Sequence, residues 1–170
     1  MKTLLRWLSI LPALLFPFVI FGFSSQTGTD SGSLSLAICR ILMGFINRLF
    51  SLDLSYWELY SRAMSIHILI RKIAHVSEYF ILSFCVFLPL RVWFYKPDSP
   101  NPKKTFLRNT VFPTFFICLL YASADELFQS FVPGRHGTSV DVLIDSIGIL
   151  LGCIVLTFYY FHVKKIARKN

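Results

Sequence analysis

The sequence is poor in charged residues and poorest in acids. Of its 170 residues only 15% are charged, and 9 acids stand against 17 Lys and Arg, which gives a formal net charge of +8. By contrast, 55% of the residues are hydrophobic and 16% are aromatic. A soluble domain of this length would expose far too much apolar surface to water, so the composition excludes an ordinary soluble protein and favours a membrane protein.

Cysteines are few, and internal repeats and low-complexity segments are missing from the sequence. The four cysteines are widely separated and form no CxxC pair, and three of them lie in apolar segments where cysteine acts as a small hydrophobic residue. We therefore expect neither a disulfide nor a thiolate metal site. We expect residues 1–170 to form a single domain.

Four long apolar stretches predict an all-α integral membrane bundle. The hydrocarbon core of a bilayer requires about 20 apolar residues per helix, and spans are predicted at about residues 5–23, 73–95, 109–128 and 139–162. The first stretch also resembles a cleaved signal peptide, because basic residues precede an apolar run. Its length and the residues that follow it favour a retained span.

The basic residues flank these apolar stretches, and the positive-inside rule accounts for them. Most of the excess falls in one short loop and in the C-terminal tail, which places both termini in the cytoplasm. No basic patch with stacking aromatics is left over, so we expect no nucleic-acid partner. On the cytoplasmic side one acid, Asp98, faces these basic residues: Lys2, Arg6, Arg91, Lys96, Lys103, Lys104, Arg108, Lys164, Lys165, Arg168 and Lys169.

One long extracytoplasmic connection, residues 24–71, joins the first two predicted spans. Its first part, residues 24–33, is rich in Ser, Gly and Thr, which is typical of a loop. Apolar residues at helical spacing follow, and they predict an amphipathic helix that lies in the outer interface or packs over the bundle. A further helix is predicted to begin near Tyr56 and to run towards the second span, with Glu58 and Arg62 paired one turn apart.

Polar side chains from all four spans gather at the extracytoplasmic face. An Asp at the centre of a spanning helix costs about 2.5–3.5 kcal/mol, and several acids close together need cations, a metal or shared protons. Gly148 and Gly152 form a GxxxG pattern that allows a neighbouring helix to approach closely. Three pairs of polar residues share helical faces and are expected to point into the bundle: His75 with Glu78, Asp125 with Gln129, and Asp141 with Asp145.

Several of these residues also have a purely structural explanation. Thr138 and Asp141 form a capping box in sequence terms, so capping explains Asp141 as well as a site does. Arg71 is interpreted as a side chain that extends to the membrane interface. Asp145 lies one turn deeper, where capping does not apply, and this position favours a function. The whole set also fits a network that only fixes helix packing.

Three motifs between Lys72 and Gly152 resemble those of the VanZ-like family of bacterial membrane proteins. One departure is Phe128, where similar sequences often carry His. The family takes its name from a protein associated with low-level resistance to the glycopeptide teicoplanin, so the resemblance implies a role at the bacterial cell envelope but no particular reaction. The motifs are Lys72-x-x-His75-x-x-Glu78-Tyr79-x-x-Leu82, Asp125-Glu126-x-x-Gln129-x-Phe131-x-Pro133-Gly134-Arg135 and Asp141-x-x-x-Asp145-x-x-Gly148-x-x-x-Gly152.

Two functions fit these residues. In the first, a membrane-embedded enzyme acts on an anionic, lipid-linked envelope component, with a divalent metal ion as the expected cofactor. In the second, the same groups recognise an envelope lipid, a lipid-linked cell-wall precursor or a glycopeptide without chemistry. An ion or proton pathway fits less well, because the inner half of the bundle has no comparable polar residues.

The residues fall into three expected roles. The expected catalytic residues are His75, Glu78, Asp125, Glu126 and Asp145. The expected substrate-binding residues are Lys72, Gln129, Arg135, Ser25 and Asp141. The candidate metal ligands are His75, Asp125, Glu126 and Asp145.

Overall fold

The computed structural model describes the backbone of residues 2–167 and the side chains of residues 3, 4 and 6–162. Five basic residues used above for orientation lie outside this description, either whole (Arg168 and Lys169) or in their side chains (Lys2, Lys164 and Lys165). The regular elements in the described range are all helical: α1 (Lys2–Leu8), α2 (Leu11–Ser24), α3 (Gly28–Leu49), α4 (Tyr56–Phe94), α5 (Pro102–Phe106), a π-helical turn (Leu107–Val111), α6 (Phe112–Gln129) and α7 (Ser139–Ala167).

The protein is an all-α membrane bundle, but five helical stretches in the described range are long and apolar enough to cross a bilayer. The prediction of four such helices is therefore wrong by this criterion. The additional one is α3, which the sequence predicted as an amphipathic helix in the outer interface or packed over the bundle. Its 22 residues include an 18-residue window with a mean hydropathy of 1.3, because the few polar side chains in its second half are outnumbered by Leu, Ile, Met and Phe.

The predicted loop over residues 24–33 is also corrected, because α3 begins at Gly28. The Thr27 hydroxyl accepts a hydrogen bond from the Asp30 amide at 3.2 Å and donates one to the Asp30 carboxylate at 2.6 Å. This reciprocal capping stabilises the first helical turn despite its Ser and Gly content. Only residues 25–27 connect α2 to α3.

Four segments form the core of the bundle: α2, the second half of α4, α6 and α7. Gly148 and Gly152 let α7 approach α4 closely, because an added Cβ would overlap the Val76 carbonyl at Gly148 and the Ser83 hydroxyl at Gly152. The GxxxG pattern thus lies at a close helix crossing. The buried apolar centre consists of Ile20, Tyr79, Leu82, Val86, Cys118, Ala122, Ile149 and Cys153.

Substituting Gly148 by Ala is expected to destabilise the bundle by about 1–3 kcal/mol, because the new methyl group must push two helix backbones apart. Gly44→Ala is the matched control. No atom lies within 4 Å of a Cβ at Gly44, so it should gain about 0.5–1 kcal/mol from helix propensity alone. Thermal unfolding in mild detergent measures both changes. Equal melting temperatures for the two variants would show that the α4–α7 crossing tolerates a side chain.

Helix α4 is longer than a bilayer is thick. Its 39 residues rise about 58 Å, whereas a hydrocarbon core measures about 30 Å. We call α3 and residues 56–71 of α4 the arm. The two helices of the arm pack against each other through buried Cys39 and Ala63, and the Arg40 guanidinium donates to the Tyr56 hydroxyl at 3.2 Å. The bundle and the arm therefore share one continuous helix.

The end of the bundle opposite the arm carries aromatic and basic side chains. Trp93 donates to the Arg6 carbonyl at 3.2 Å and lies under the Arg6 guanidinium, which is 4.8 Å from the ring centroid. The Lys103 ammonium lies 5.8 Å from the Phe161 ring centroid. Basic residues that the sequence assigned to one membrane face thus meet at one end of the molecule.

Candidate functional site

The polar side chains meet at the end of the bundle from which the arm extends. The C-terminus of α2, residues 72–78 of α4, the C-terminus of α6, the loop 130–138 and the first turns of α7 all contribute to this polar end. The helices supply polar groups there because each one begins, ends or, for α4, continues into the arm at the same level. The sequence predicted this convergence from four separate segments.

A chain of buried hydrogen bonds ties α2 to α6. The Ser24 hydroxyl donates to the Asp125 carboxylate at 2.8 Å, and the Gln129 amide donates to the same carboxylate oxygen at 2.9 Å. Gln129 in turn accepts from an Arg135 guanidinium nitrogen at 3.0 Å. All four side chains are buried, so the network both satisfies the Asp125 carboxylate and fixes its orientation.

The loop between α6 and α7 brings Arg135 into the bundle. Gly134 has a φ of 73°, and Gly28 donates from its amide to the Pro133 carbonyl at 3.0 Å, with no room for a side chain at Gly28. The second terminal nitrogen of Arg135 donates to the Phe23 carbonyl at 2.8 Å. Burial lowers the pKa of Arg135 from its ordinary value. An arginine pKa is nevertheless so high that the group stays cationic.

Beside this network lies a second group of side chains whose polar atoms lack partners. Asp145 is 1% exposed, and neither of its carboxylate oxygens makes a hydrogen bond within the described part of the chain. His75 Nδ1 is likewise unpartnered; it lies 3.7 Å from an Asp145 oxygen and 4.0 Å from a Glu78 oxygen. Buried polar atoms without partners are rare and indicate a bound ion, water or ligand.

Three side chains of the polar end have the arrangement of metal ligands. One ligand atom each from His75, Asp125 and Glu126 lies within 4.8 Å of the other two. Two of the three side chains are buried carboxylates, and imidazole with carboxylates suits several first-row divalent cations. Asp145, the fourth ligand expected from the sequence, is not one of these three; its carboxylate lies on α7, 3.7 Å from His75 Nδ1.

The charges of the polar end do not balance. Its five carboxylates outnumber by two the three permanent cations beside them, which are Arg71, Lys72 and Arg135. A divalent cation or bound protons would balance the excess charge. The carboxylates are those of Glu78, Asp125, Glu126, Asp141 and Asp145.

Lys72 and Asp141 lie at the rim. They form an ion pair at 3.3 Å with side chains that are 43% and 33% exposed. Asp141 also accepts from the Thr138 hydroxyl at 2.7 Å and donates from its amide back to that hydroxyl. The cap with Thr138 and the ion pair with Lys72 therefore account for the bonds of Asp141. The same ion pair partly neutralises the charge of Lys72.

Ser24 takes the position in the network that the sequence assigned to Ser25. Ser25 is exposed, and its hydroxyl donates to the Gly22 carbonyl one turn back. Adjacent residues at the end of α2 point in different directions: Ser24 bonds Asp125 on α6, whereas Ser25 bonds a carbonyl of its own helix. Sequence analysis could not choose between them, because both directly follow the apolar run.

Two further residues of the polar end were not selected from the sequence. Arg71 was assigned to the interface, but it lines a cavity of about 220 Å³ together with Arg135, His75 and Glu78. Tyr79 is fully buried near Asp125, and its hydroxyl meets hydrogen-bond geometry with no described group. Tyr79 is itself part of the first motif, and Arg71 directly precedes its Lys72, which was the available signal.

Together, the fold and the polar end define a class: a multi-pass helical membrane protein with a buried carboxylate and histidine cluster at one end of its bundle. A family model matches residues 9–160, nearly the whole chain, and its description is VanZ/LLP1. The chain belongs to the VanZ/LLP1 family. Neither the curated proteins nor the solved structures that were compared with the chain give a significant match.

Proposed function

We propose that this protein binds the anionic head group of a lipid-linked cell-envelope component at its polar end, with a divalent cation between the carboxylates and the head group. The observation that carries the proposal is the unpartnered, fully buried Asp145 carboxylate beside His75. Hard cations prefer such oxygen ligands, and a cation held there attracts phosphate or carboxylate oxygens.

The cavity next to the cluster supports an anionic ligand. Arg71 and Arg135 line it, and a guanidinium presents paired N–H donors that match a phosphate or carboxylate. The Nε of Arg135 is buried without a partner among the described groups. A ligand in this cavity would therefore lie within reach of the guanidinium groups of Arg71 and Arg135 and of His75.

The test is elemental analysis combined with mass spectrometry of co-purifying lipids, on wild-type protein and on Asp145→Asn in mild detergent. We expect one divalent metal per chain and a phosphate-bearing lipid in the wild type, with both strongly reduced in the variant. The substitution keeps the side-chain shape, so the fold should remain. A wild-type protein without metal or lipid phosphate, whose variant only melts earlier, would show that the polar end is a structural network.

A second candidate function is hydrolysis of the bound phosphate ester. The observation in its favour is that His75 lies between the carboxylates of Asp145 and Glu78, an environment typical of a general base. In this reaction His75 would accept a proton from water as the water oxygen bonds to phosphorus and the P–O ester bond breaks, and the protonated His75 would then return that proton to the leaving oxygen, which departs as an alcohol. Release of inorganic phosphate from a lipid phosphate, lost in His75→Ala, distinguishes an enzyme from a binder.

The proposal places the polar end on the extracytoplasmic side of a bacterial cell membrane. The clustering of Arg6 and Lys103 at the opposite end supports this orientation through the positive-inside rule. Labelling of single cysteines from either side of intact cells tests it. A link to glycopeptide resistance forms part of the same proposal, and teicoplanin susceptibility of cells that express wild type or Glu126→Gln measures it.

A further inference from the structure

A second cavity opens between α2 and α6, on the side of the bundle that faces lipid. It has a volume of about 500 Å³, within the range of about 300–1,000 Å³ that is typical of ligand sites. Its walls are apolar and come from Leu14, Pro17 and Phe18 of α2 and from Tyr121 and Ala124 of α6. Because both helices are apolar enough to cross the bilayer, the molecules next to this groove are lipids.

The end of the groove that lies deepest in the bundle is polar. Tyr79 and Asp125 line it there, and the fully buried Tyr79 hydroxyl lies beside the Asp125 carboxylate without forming a hydrogen bond of normal geometry to it. A buried hydroxyl whose bond is poorly formed forfeits part of the roughly 1–3 kcal/mol that a full partner supplies. An ester or phosphoester oxygen near a lipid head group would accept a better bond, which pure hydrocarbon in the groove cannot do.

The groove and the polar cavity meet at one pair of residues. Ser24 lines the polar cavity, Asp125 lines the groove, and the two are joined by the hydrogen bond of 2.8 Å described above. On the polar side lie Arg71 and Arg135, which suit an anion, and on the groove side lie apolar walls. The two cavities thus provide, side by side, the two environments that a single amphipathic molecule requires.

We infer that the groove between α2 and α6 holds the hydrocarbon chain of the lipid whose anionic head group occupies the polar end. This inference rests on the proposed function and adds the ligand class: a lipid that enters sideways from the bilayer, with Tyr79 donating to an oxygen at the junction of head and chain. Both fatty-acyl and polyisoprenyl chains have this chemistry, and the experiment distinguishes them.

The experiment uses the full chain in nanodiscs and two photoactivatable probes, a phosphatidic acid and a polyprenyl phosphate, each with a diazirine in its chain. After irradiation, mass spectrometry maps the labelled peptides. We expect labelling of residues 11–24 and 112–129 that excess unlabelled lipid phosphate removes, and the probe that labels more strongly identifies the chain type. Labelling spread evenly to lipid-facing positions outside these two segments, such as Leu143 and Ile154 of α7, and unaffected by competitor, would overturn the inference.

Variants separate the groove from its surroundings. Ala124→Trp fills the groove and should reduce competed labelling by about tenfold or more, as steric changes in apolar pockets commonly do. Ser123→Trp is the matched control, because Ser123 is exposed one position away and does not line the groove. Tyr79→Phe keeps the packing and removes only the hydroxyl, so it tests the contact at the junction even if Ala124→Trp fails to fold. Unchanged labelling in Tyr79→Phe would remove that hydroxyl from the proposal.

The outcome for the head group is read separately in the same samples. Bound metal and inorganic phosphate are measured without any lipid probe. If the protein binds metal and phosphate but the labelling is diffuse, the groove does not hold the lipid chain, and the proposed function stands. Competed labelling in the groove of a protein that binds neither metal nor phosphate would overturn the proposed function, and with it the assignment of the head group.

Discussion

His75→Ala is expected to lower the affinity for a divalent cation by about 100-fold or more. Outer-shell partners of metal ligands already contribute about 10–100-fold to affinity, so a direct ligand should contribute at least as much. His75 supplies the only nitrogen of the described ligand group, and its removal leaves Asp125 and Glu126 as two carboxylates that repel each other. Binding of Mn²⁺, followed by electron paramagnetic resonance of the purified protein, measures the change.

The control for this variant is His67→Ala. His67 lies on the same helix, but it is half-buried, its ring contacts the Met64 carbonyl at 2.7 Å, and it is not a member of the ligand group. This variant should bind Mn²⁺ with the affinity of the wild type. Equal affinities for the His75 and His67 variants would show that His75 is no ligand. Wild-type protein that binds no Mn²⁺ would exclude a site for this cation.

Arg135→Lys is expected to have the second large effect, on both stability and ligand binding. The two terminal nitrogens of Arg135 bond separate acceptors, the Gln129 amide oxygen and the Phe23 carbonyl. A single ammonium cannot reach both, so one buried acceptor loses its partner, which costs about 1–3 kcal/mol. Loss of the Nε donor, which has no partner among the described groups, should also weaken binding of a lipid phosphate by about tenfold or more.

Thermal unfolding and competition of lipid-phosphate binding separate these two effects. Arg62→Lys is the control, because Arg62 is exposed on the arm and should change neither. If Arg135→Lys unfolds more readily but binds lipid phosphate as the wild type does, Arg135 only holds the loop to α2. If both quantities fall, Arg135 also contacts the anion.

The sequence predicted the helical membrane class and the convergence of the motifs, because hydropathy and helical spacing report on each helix alone. His75, Asp125, Glu126 and Asp145 meet as expected, since residues at the same level of adjacent helices must lie close together. Local spacing did not predict which of two adjacent serines turns inwards. That choice depends on the exact residue at which α2 ends, and contacts with α6 determine it.

The arm was the part of the fold that sequence analysis described least well. Residues 28–33 were predicted as a loop from their polar composition, although the cap at Thr27 begins a helix there. The apolar part of α3 was predicted as an amphipathic helix, although its length and hydropathy suffice for a span. Tyr79 belongs to the first motif, but nothing in the sequence assigned it a role. Only its position in the fold, buried beside Asp125 without a hydrogen bond of normal geometry, distinguishes it from the other aromatic residues.

Helix α4 continues without a break from the arm to the polar end, so its length fixes the distance between the tip of the arm and the polar end. The rise of an α-helix sets the distance along the axis from Tyr56 to His75 at about 28 Å. Tyr56 and the adjacent Trp57 are exposed at the tip of the arm. With the bundle in the bilayer and the polar end at one face, the arm therefore sets how far beyond that face these two aromatic side chains are carried.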